Sequence, residues 1–193
     1  MTRQLSLFGI EARPPDVVDL EGLLAGAGQV VRMGGTARVS TVVDAAWRVR
    51  VLLAEFAQRD LNATWEPSTV EGHFGVRTAY AASLAVLGTR WLRGAVKAPP
   101  AGFTLDGRRL RLWVMAGGLR DGALGYALAL GPSDERTWGP VGAALASLGL
   151  APALLGPRSG GPAYRIVGRR RLARLAEMVG EPPAEAPAEA WPA

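Results

Sequence analysis

The residues best suited to chemistry or docking lie in two short stretches near the N-terminus. The first is Gln4-Leu5-Ser6-Leu7-Phe8. It joins one amide anchor to two leucines and an aromatic ring, a set that fills small apolar pockets. Placed ahead of Pro14-Pro15, it reads as a short linear motif on an exposed arm. The competing reading is an edge strand packed on the body. The second stretch is Leu20–Gly28, LEGLLAGAG. Gly22 and Gly26 are four residues apart, so on a helix they share a face and let another helix approach closely. Asp16, Asp19 and Glu21 precede or open this stretch, where the helix dipole favours negative charge.

Catalytic groups are scarce elsewhere. The chain of 193 residues has no cysteine, which excludes disulfides, thiol catalysis, Cys-ligated zinc and iron–sulfur clusters. Its one histidine, His73, cannot build a multi-histidine metal site and reads as a loop residue ahead of a strand. Gly34-Gly35 fits a turn between two strands rather than a phosphate loop. No Walker sequence or strand-linked GxGxxG is present. No cofactor and no metal are expected.

The charge points to a polyanionic partner. Twenty-two basic residues face 17 acidic ones, and Lys97 is the only lysine. The basic side is therefore almost wholly arginine, which binds phosphate through a fork that lysine lacks. The sequence pI is about 10.6. A high-GC genome, rich in Arg, Ala, Gly and Pro codons, explains part of this composition. No run reaches the roughly 18 apolar residues of a membrane span. The N-terminus lacks the core and cleavage site of a signal peptide. A cytoplasmic, nucleoid-associated protein is expected.

Composition divides the chain into a short arm (1–15), a folded body, and a Pro/Ala/Glu tail (181–193) expected to be disordered. Without Glu181, Glu185 and Glu189 the net charge rises from +5 to +8. The body divides at a Pro/Gly-rich linker (94–106) into 16–93 and 107–180.

The two halves read alike. In the first, Val17–Gly28 leads into strands Gln29–Met33 and Ala37–Val43, helix Ala45–Asp60, strands Ala63–Glu66 and Phe74–Ala79, and a short helix to Leu87. In the second, helix Arg109–Gly118 precedes strand Leu124–Leu130. A helix ending at Leu148, segment Ala151–Leu155, strand Ala163–Val167 and helix Arg169–Val179 follow. Trp47 matches Trp138, and Val76-Arg77-Thr78 matches Tyr164-Arg165-Ile166, at an offset of about 90 residues. The expected fold class is α+β, built from tandem pseudo-twofold αββαββα repeats. Such a duplication supplies its own twofold and permits a monomer, the expected state.

Strand alternation places some arginines opposite the core. Arg32, Arg38, Arg77 and Arg165 each lie between apolar or small neighbours, and period-two geometry turns them to the far face. With Lys97 they form the expected DNA contacts; a solvated sheet face is the alternative. Leu124–Leu130, LGYALAL, is apolar on both faces and reads as a buried strand or a protein contact. Arg169, Arg170, Arg171 and Arg174 start a basic helix that could touch phosphate, protein or only solvent.

Two resemblances follow from these residues. Gln4, Leu5, Ser6, Leu7 and Phe8 resemble the bacterial sliding-clamp-binding peptide at all five positions. The resemblance implies that Gln4 bonds at the pocket rim while Leu7 and Phe8 enter its floor. Leu20, Gly22, Leu23 and Gly28, with Leu24 for a similar Ile, resemble the LAGLIDADG helix of homing endonucleases and of the DNA-binding WhiA-type regulators. That resemblance implies eight strands forming a saddle on DNA, with two such helices packed at the pseudo-twofold axis. Gly22 and Gly26, with Ala116 and Gly117 in the second half, are the expected interface residues.

The departures bear on mechanism. In the nuclease family an acidic residue just before the last glycine binds a divalent metal. Here that position is Ala27, and the other acidic position is Ala25. In the second half only a shifted alignment offers a carboxylate, Asp121, as a weak catalytic candidate. One carboxylate is a poor basis for metal-assisted phosphodiester hydrolysis. The sequence therefore predicts a non-catalytic DNA-binding protein docked on the replicative sliding clamp, acting in replication or repair. The alternatives are a clamp-tethered nuclease with a reduced metal site and an adaptor that binds only proteins.

Overall fold

The computed structural model describes residues 13–192. The Gln4–Phe8 motif therefore lies outside the described residues. The first repeat runs α1 (Glu21–Ala25), β1 (Gln29–Met33), β2 (Thr36–Val43), α2 (Ala46–Ala57), β3 (Ala63–Pro67), β4 (Phe74–Thr78) and α3 (Ala85–Trp91). A small hairpin, β5 (Leu92–Arg93) and β6 (Val96–Lys97), follows. The second repeat runs α4 (Gly107–Gly117), β7 (Gly118–Arg120), β8 (Gly125–Ala129), α5 (Glu135–Ser147), β9 (Ala153–Leu155), β10 (Ala163–Val167) and α6 (Arg169–Val179).

The repeat order expected from sequence is thus present twice. Each repeat holds a four-stranded antiparallel sheet, ordered β1-β2-β4-β3 in the first and β7-β8-β10-β9 in the second. One face of each sheet packs on helices. In β2 the buried residues are Ala37, Val39, Thr41 and Val43. Tyr126 and Leu128 of β8, with Tyr164 and Ile166 of β10, do the same in the second sheet. One continuous core joins the halves, from Leu20, Leu23 and Leu24 to Leu110, Trp113 and Val114. Each such leucine contributes about 2 kcal/mol by leaving water.

The α1–α4 contact explains Gly22. A Cβ there would lie 1.9 Å from the Arg109 carbonyl oxygen, so only glycine lets the helices meet. A Cβ on Gly26 would lie 2.6 Å from Trp113 Nε1. Both glycines therefore sit at the repeat interface. Gly117 does not face α1: its nearest neighbour is Ala129 of its own repeat. Ala116 is half-buried against the core. The second-repeat residues that meet the glycines of the first are Arg109 and Trp113.

The C-terminal tail corrects an expectation. It is packed on the body rather than disordered. Trp191 is buried and donates from Nε1 to the Gly180 carbonyl at 2.9 Å. The Tyr126 hydroxyl donates to the Ala190 carbonyl at 2.8 Å. Arg111 lies over the Trp191 ring and donates to the carbonyls of Val179 and Glu181. Glu185 pairs with Arg50 and Ala186 packs on the core, so one large aromatic, an ion pair and a few backbone acceptors hold the segment.

Candidate nucleic-acid interface

The face of each sheet turned away from the helices is open, and strand register decides what lies on it. In the first sheet Val31 pairs with Arg38, Gln29 with Ser40, Ser40 with Arg77, and Arg77 with Thr64. Cross-strand partners share a face. Arg38 and Arg77 therefore stand on the open face with Gln29, Ser40 and Thr64. Arg38 lies 5.0 Å from the Tyr80 ring centroid, a cation–π contact that positions its guanidinium, whose Nε is buried without a partner among the described residues. Arg77 is paired with Glu66 through two bonds, at 2.8 and 3.1 Å. Both partners are exposed, so this pair is weak and open to competition from phosphate.

In the second sheet Arg165 pairs with Ala127 and Ala153, placing it at the position equivalent to Arg77. Its Nε lies 2.5 Å from a carboxylate oxygen of Asp121. Around it the open face carries Leu119, Ala127, Ala153 and Val167, so this face is apolar apart from one neutralised pair.

Two expected contacts are corrected. Arg32 pairs with Ala37, a core-facing residue, and so lies on the helix side of the sheet. Its side chain drapes over Gly88 of α3, where a Cβ would lie 2.5 Å from Arg32 Cγ. Lys97 is buried. Its ammonium donates to the carbonyls of Gly26 and Gly28, at 3.0 and 2.7 Å, and stands 2.7 Å from Asp134. Burial lowers the Lys97 pKa, and the Asp134 hydrogen bond and charge oppose that shift. A lysine enclosed in this way cannot reach a phosphate.

Among the described residues, the C-terminal ends of the two core helices bring no carboxylate of their own to the seam. Ala25 is buried and Ala27 half-buried at the end of α1. Asp121 is not at the end of α4 but in the β7–β8 turn, where its N–H donates to the Gly125 carbonyl. No group of three metal-binding side chains comes together among the described residues. A second buried cation sits at the seam, one that sequence reading missed. Arg48 donates to the carbonyls of Val114, Met115 and Gly118 at 3.1, 2.8 and 2.6 Å, and to Asp44 at 2.8 Å. A basic residue inside the apolar stripe of a helix was the available signal.

The acidic residues at the head of the first core helix are structural. Asp16 caps the 3-10 turn Val17–Leu20, and Asp19 answers in a capping box. Asp19 is fully buried and paired with Arg59 and Arg13. Glu21, equally buried, meets Arg90, Arg109 and the Trp91 indole N–H.

Comparison with known proteins bears on the fold. No family model matches the chain, and no curated protein does. Solved structures do. The N-terminal LAGLIDADG domain of DUF199/WhiA matches with a TM-score of 0.62 at 14% identity, over 93% of this chain and 88% of that one. The homing endonuclease I-WcaI, bound to its DNA recognition sequence, matches with a TM-score of 0.57 at 10% identity, over 91% and 88%. This is a LAGLIDADG-type fold. Full-length DUF199/WhiA from Thermatoga maritima matches at 0.60 and 12% identity over 85% of this chain, which spans about half (54%) of that protein. At these identities the LAGLIDADG likeness establishes architecture alone. No described helix is long and apolar enough to cross a membrane.

Proposed function

We propose that this protein binds DNA without cutting it and is tethered to the replicative sliding clamp through Gln4–Phe8, in replication or repair. The observation that carries the DNA reading is the open face of the first sheet, where Arg38 and Arg77 stand among Gln29, Ser40 and Thr64. Arg38, Ser40 and Thr64 offer phosphate- and groove-compatible donors on this antiparallel sheet, while Arg77 shares Glu66 and the Gln29 amide is engaged by Asp134. The LAGLIDADG-type fold supports it, since I-WcaI holds DNA with the same architecture. The non-cutting part rests on Ala25 and Ala27 at the family's acidic positions, and on the placement of Asp121 in a turn. The clamp part rests on the five-residue motif itself.

Fluorescence anisotropy with labelled duplex tests the first part. Affinity is expected to fall steeply with salt; absent or salt-independent binding would reject it. A pull-down on purified clamp, with the full chain and with Leu7→Ala plus Phe8→Ala, tests the second. Retention of the doubly substituted chain would refute the docking site. The apolar open face of the second sheet favours a second reading, an adaptor that contacts protein there. Clamp binding by a chain that shows no DNA affinity would select it.

A further inference from the structure

The two buried cations at the seam occupy equivalent places. α1 and α4 run into β1 and β7 almost without a loop, so their C-terminal ends lie at the level of the sheets. The last carbonyls of a helix lack intrahelical partners and carry about half a negative charge in sum. Just past α1, the carbonyls of its C-cap Gly26 and of Gly28 face the seam. Lys97 meets both, and Asp134 completes its set of three acceptors. At the end of α4 the Val114 carbonyl, which also accepts from the Gly118 N–H, and the carbonyls of Met115 and Gly118 all accept from Arg48, which also meets Asp44.

The carboxylates match as well: Asp44 precedes α2 and Asp134 precedes α5. The supply is crosswise. Arg48 of the first repeat closes the helix of the second, while Asp134 of the second repeat helps to hold the lysine that closes the helix of the first. Gly131 leaves room for this, since a Cβ there would lie 1.9 Å from Asp134 Oδ2. That same oxygen also accepts from the Gln29 amide at 2.8 Å.

We propose that Lys97 and Arg48 are internal counterions that fill the two seam sites and close them to divalent metal ions, so that the saddle holds nucleic acid without metal. The part about nucleic acid rests on the function proposed above; the part about metal does not. Hard divalent ions require about six oxygens. The Lys97 site has two backbone carbonyls and one carboxylate oxygen, all engaged by nitrogen donors. The Arg48 site has three carbonyls under a planar guanidinium that uses four of its five N–H groups. A pair of helix C-termini with two carboxylates would otherwise repel phosphates. The two fixed cations offset that charge from inside the fold.

The test uses the full chain. Thermal unfolding is recorded with EDTA, with millimolar Mn2+ and with methylammonium, and Mn2+ binding is read by electron paramagnetic resonance. The wild type is expected to keep its Tm across all conditions and to bind no Mn2+ saturably. Lys97→Ala, which empties the first site, should melt lower. Methylammonium or Mn2+ should then restore about 2–4 °C that they do not give the wild type. Lys97→Ala/Asp134→Asn, which removes the site's charge pair, should show no rescue. Saturable Mn2+ binding by the wild type, or a folded Lys97→Ala that neither cation stabilises, would overturn the proposal. If Lys97→Ala fails to fold, the wild-type resonance and melting measurements decide it alone. None of these readouts needs DNA. Duplex binding by the wild type in EDTA and in Mg2+ is measured beside them: equal affinity supports metal-free binding, a requirement for Mg2+ overturns it, and absence of binding in both fails the DNA reading while leaving the cation result intact.

Discussion

Arg38 and Glu66 should move DNA affinity in opposite directions, and the reason lies in their partners. Arg38 has a ring beneath it and no carboxylate paired with it among the described residues. Its guanidinium is positioned by that ring, with Nε buried. Arg77, its neighbour across the sheet, is held by both oxygens of Glu66. Each arginine that neutralises a phosphate contributes about 0.9 to the slope of log K against log salt. Arg38→Ala should therefore flatten the slope by about 0.9, so that a roughly fourfold rise in salt costs the variant about 3.5-fold less affinity than it costs the wild type. At physiological salt the variant should bind roughly five- to tenfold more weakly, the worth of one charge-assisted contact. Glu66→Gln removes the competitor for Arg77. It should strengthen binding and steepen the slope by a similar amount, at little cost in stability, because the pair is exposed. Arg170→Ala, on the outer face of α6, changes overall charge equally but lies behind the helix layer. It serves as the control in the same anisotropy titration. Equal losses from Arg38→Ala and Arg170→Ala would mean that only net charge matters, and the open-face argument would fail.

Three further outcomes follow from packing and titration. Trp191→Ala should cost about 3 kcal/mol in denaturant unfolding, as for other buried tryptophans; a loss within experimental error would show that the tail is not part of the folded unit. Gly22→Ala should cost about 2 kcal/mol or more, because the added carbon meets a backbone carbonyl that cannot swing away, and unchanged unfolding would remove the close α1–α4 contact. Burial raises the Tyr126 phenol above its ordinary value of 10.0, so its contribution to stability is complete below pH 10 and is lost as the pH climbs past it. Lys97 acts in the opposite sense, since its folded value lies below 10.5 and stability rises with pH between that folded value and 10.5. The difference between wild type and Tyr126→Phe therefore isolates the phenol: it should shrink as the pH rises above 10, and a constant difference would refute the assignment.

The duplicated order was legible because each half carries its own alternating strands and amphipathic helices. The glycines of the first core helix were legible because a Gly-x-x-x-Gly spacing has one simple steric use, and Gly22 and Gly26 have it. The positions of Arg38, Arg77 and Arg165 followed from alternation along β2, β4 and β10. Arg32 did not, since in β1 the apolar Val31 and Met33 take the open side of an edge strand and the arginine lies over a glycine of α3. Lys97 failed for a different reason. A lone lysine beside Pro99-Pro100 looks like a surface residue, and only tertiary contact reveals that two carbonyls just past α1 await it. The strand β7 is three residues long, too short for period-two alternation to register. Asp121 looked alignable with a core helix because alignment of one sequence on itself does not see where α4 ends.

The surplus of positive charge is not concentrated on the open faces of the two sheets. The first open face carries Arg38 and Arg77 against Glu66, and the second carries Arg165 against Asp121. Arg48, Arg59 and Arg109 are committed inside the fold to carbonyls and carboxylates. The exposed arginines at the start of α6 lie on the helix side. A face with so few uncommitted cations has a small counterion-release term, so its grip on a duplex is weak by itself. Weak contacts become useful when a tether supplies effective concentration, with the gain set by linker length rather than by new contacts. On the proposed reading, Gln4–Phe8 on a ring around the duplex would supply that concentration through the short segment ending at Pro14-Pro15. Strong clamp-independent DNA binding would be hard to reconcile with the charges on these two sheets; weak binding that sharpens when the clamp is loaded is what they favour.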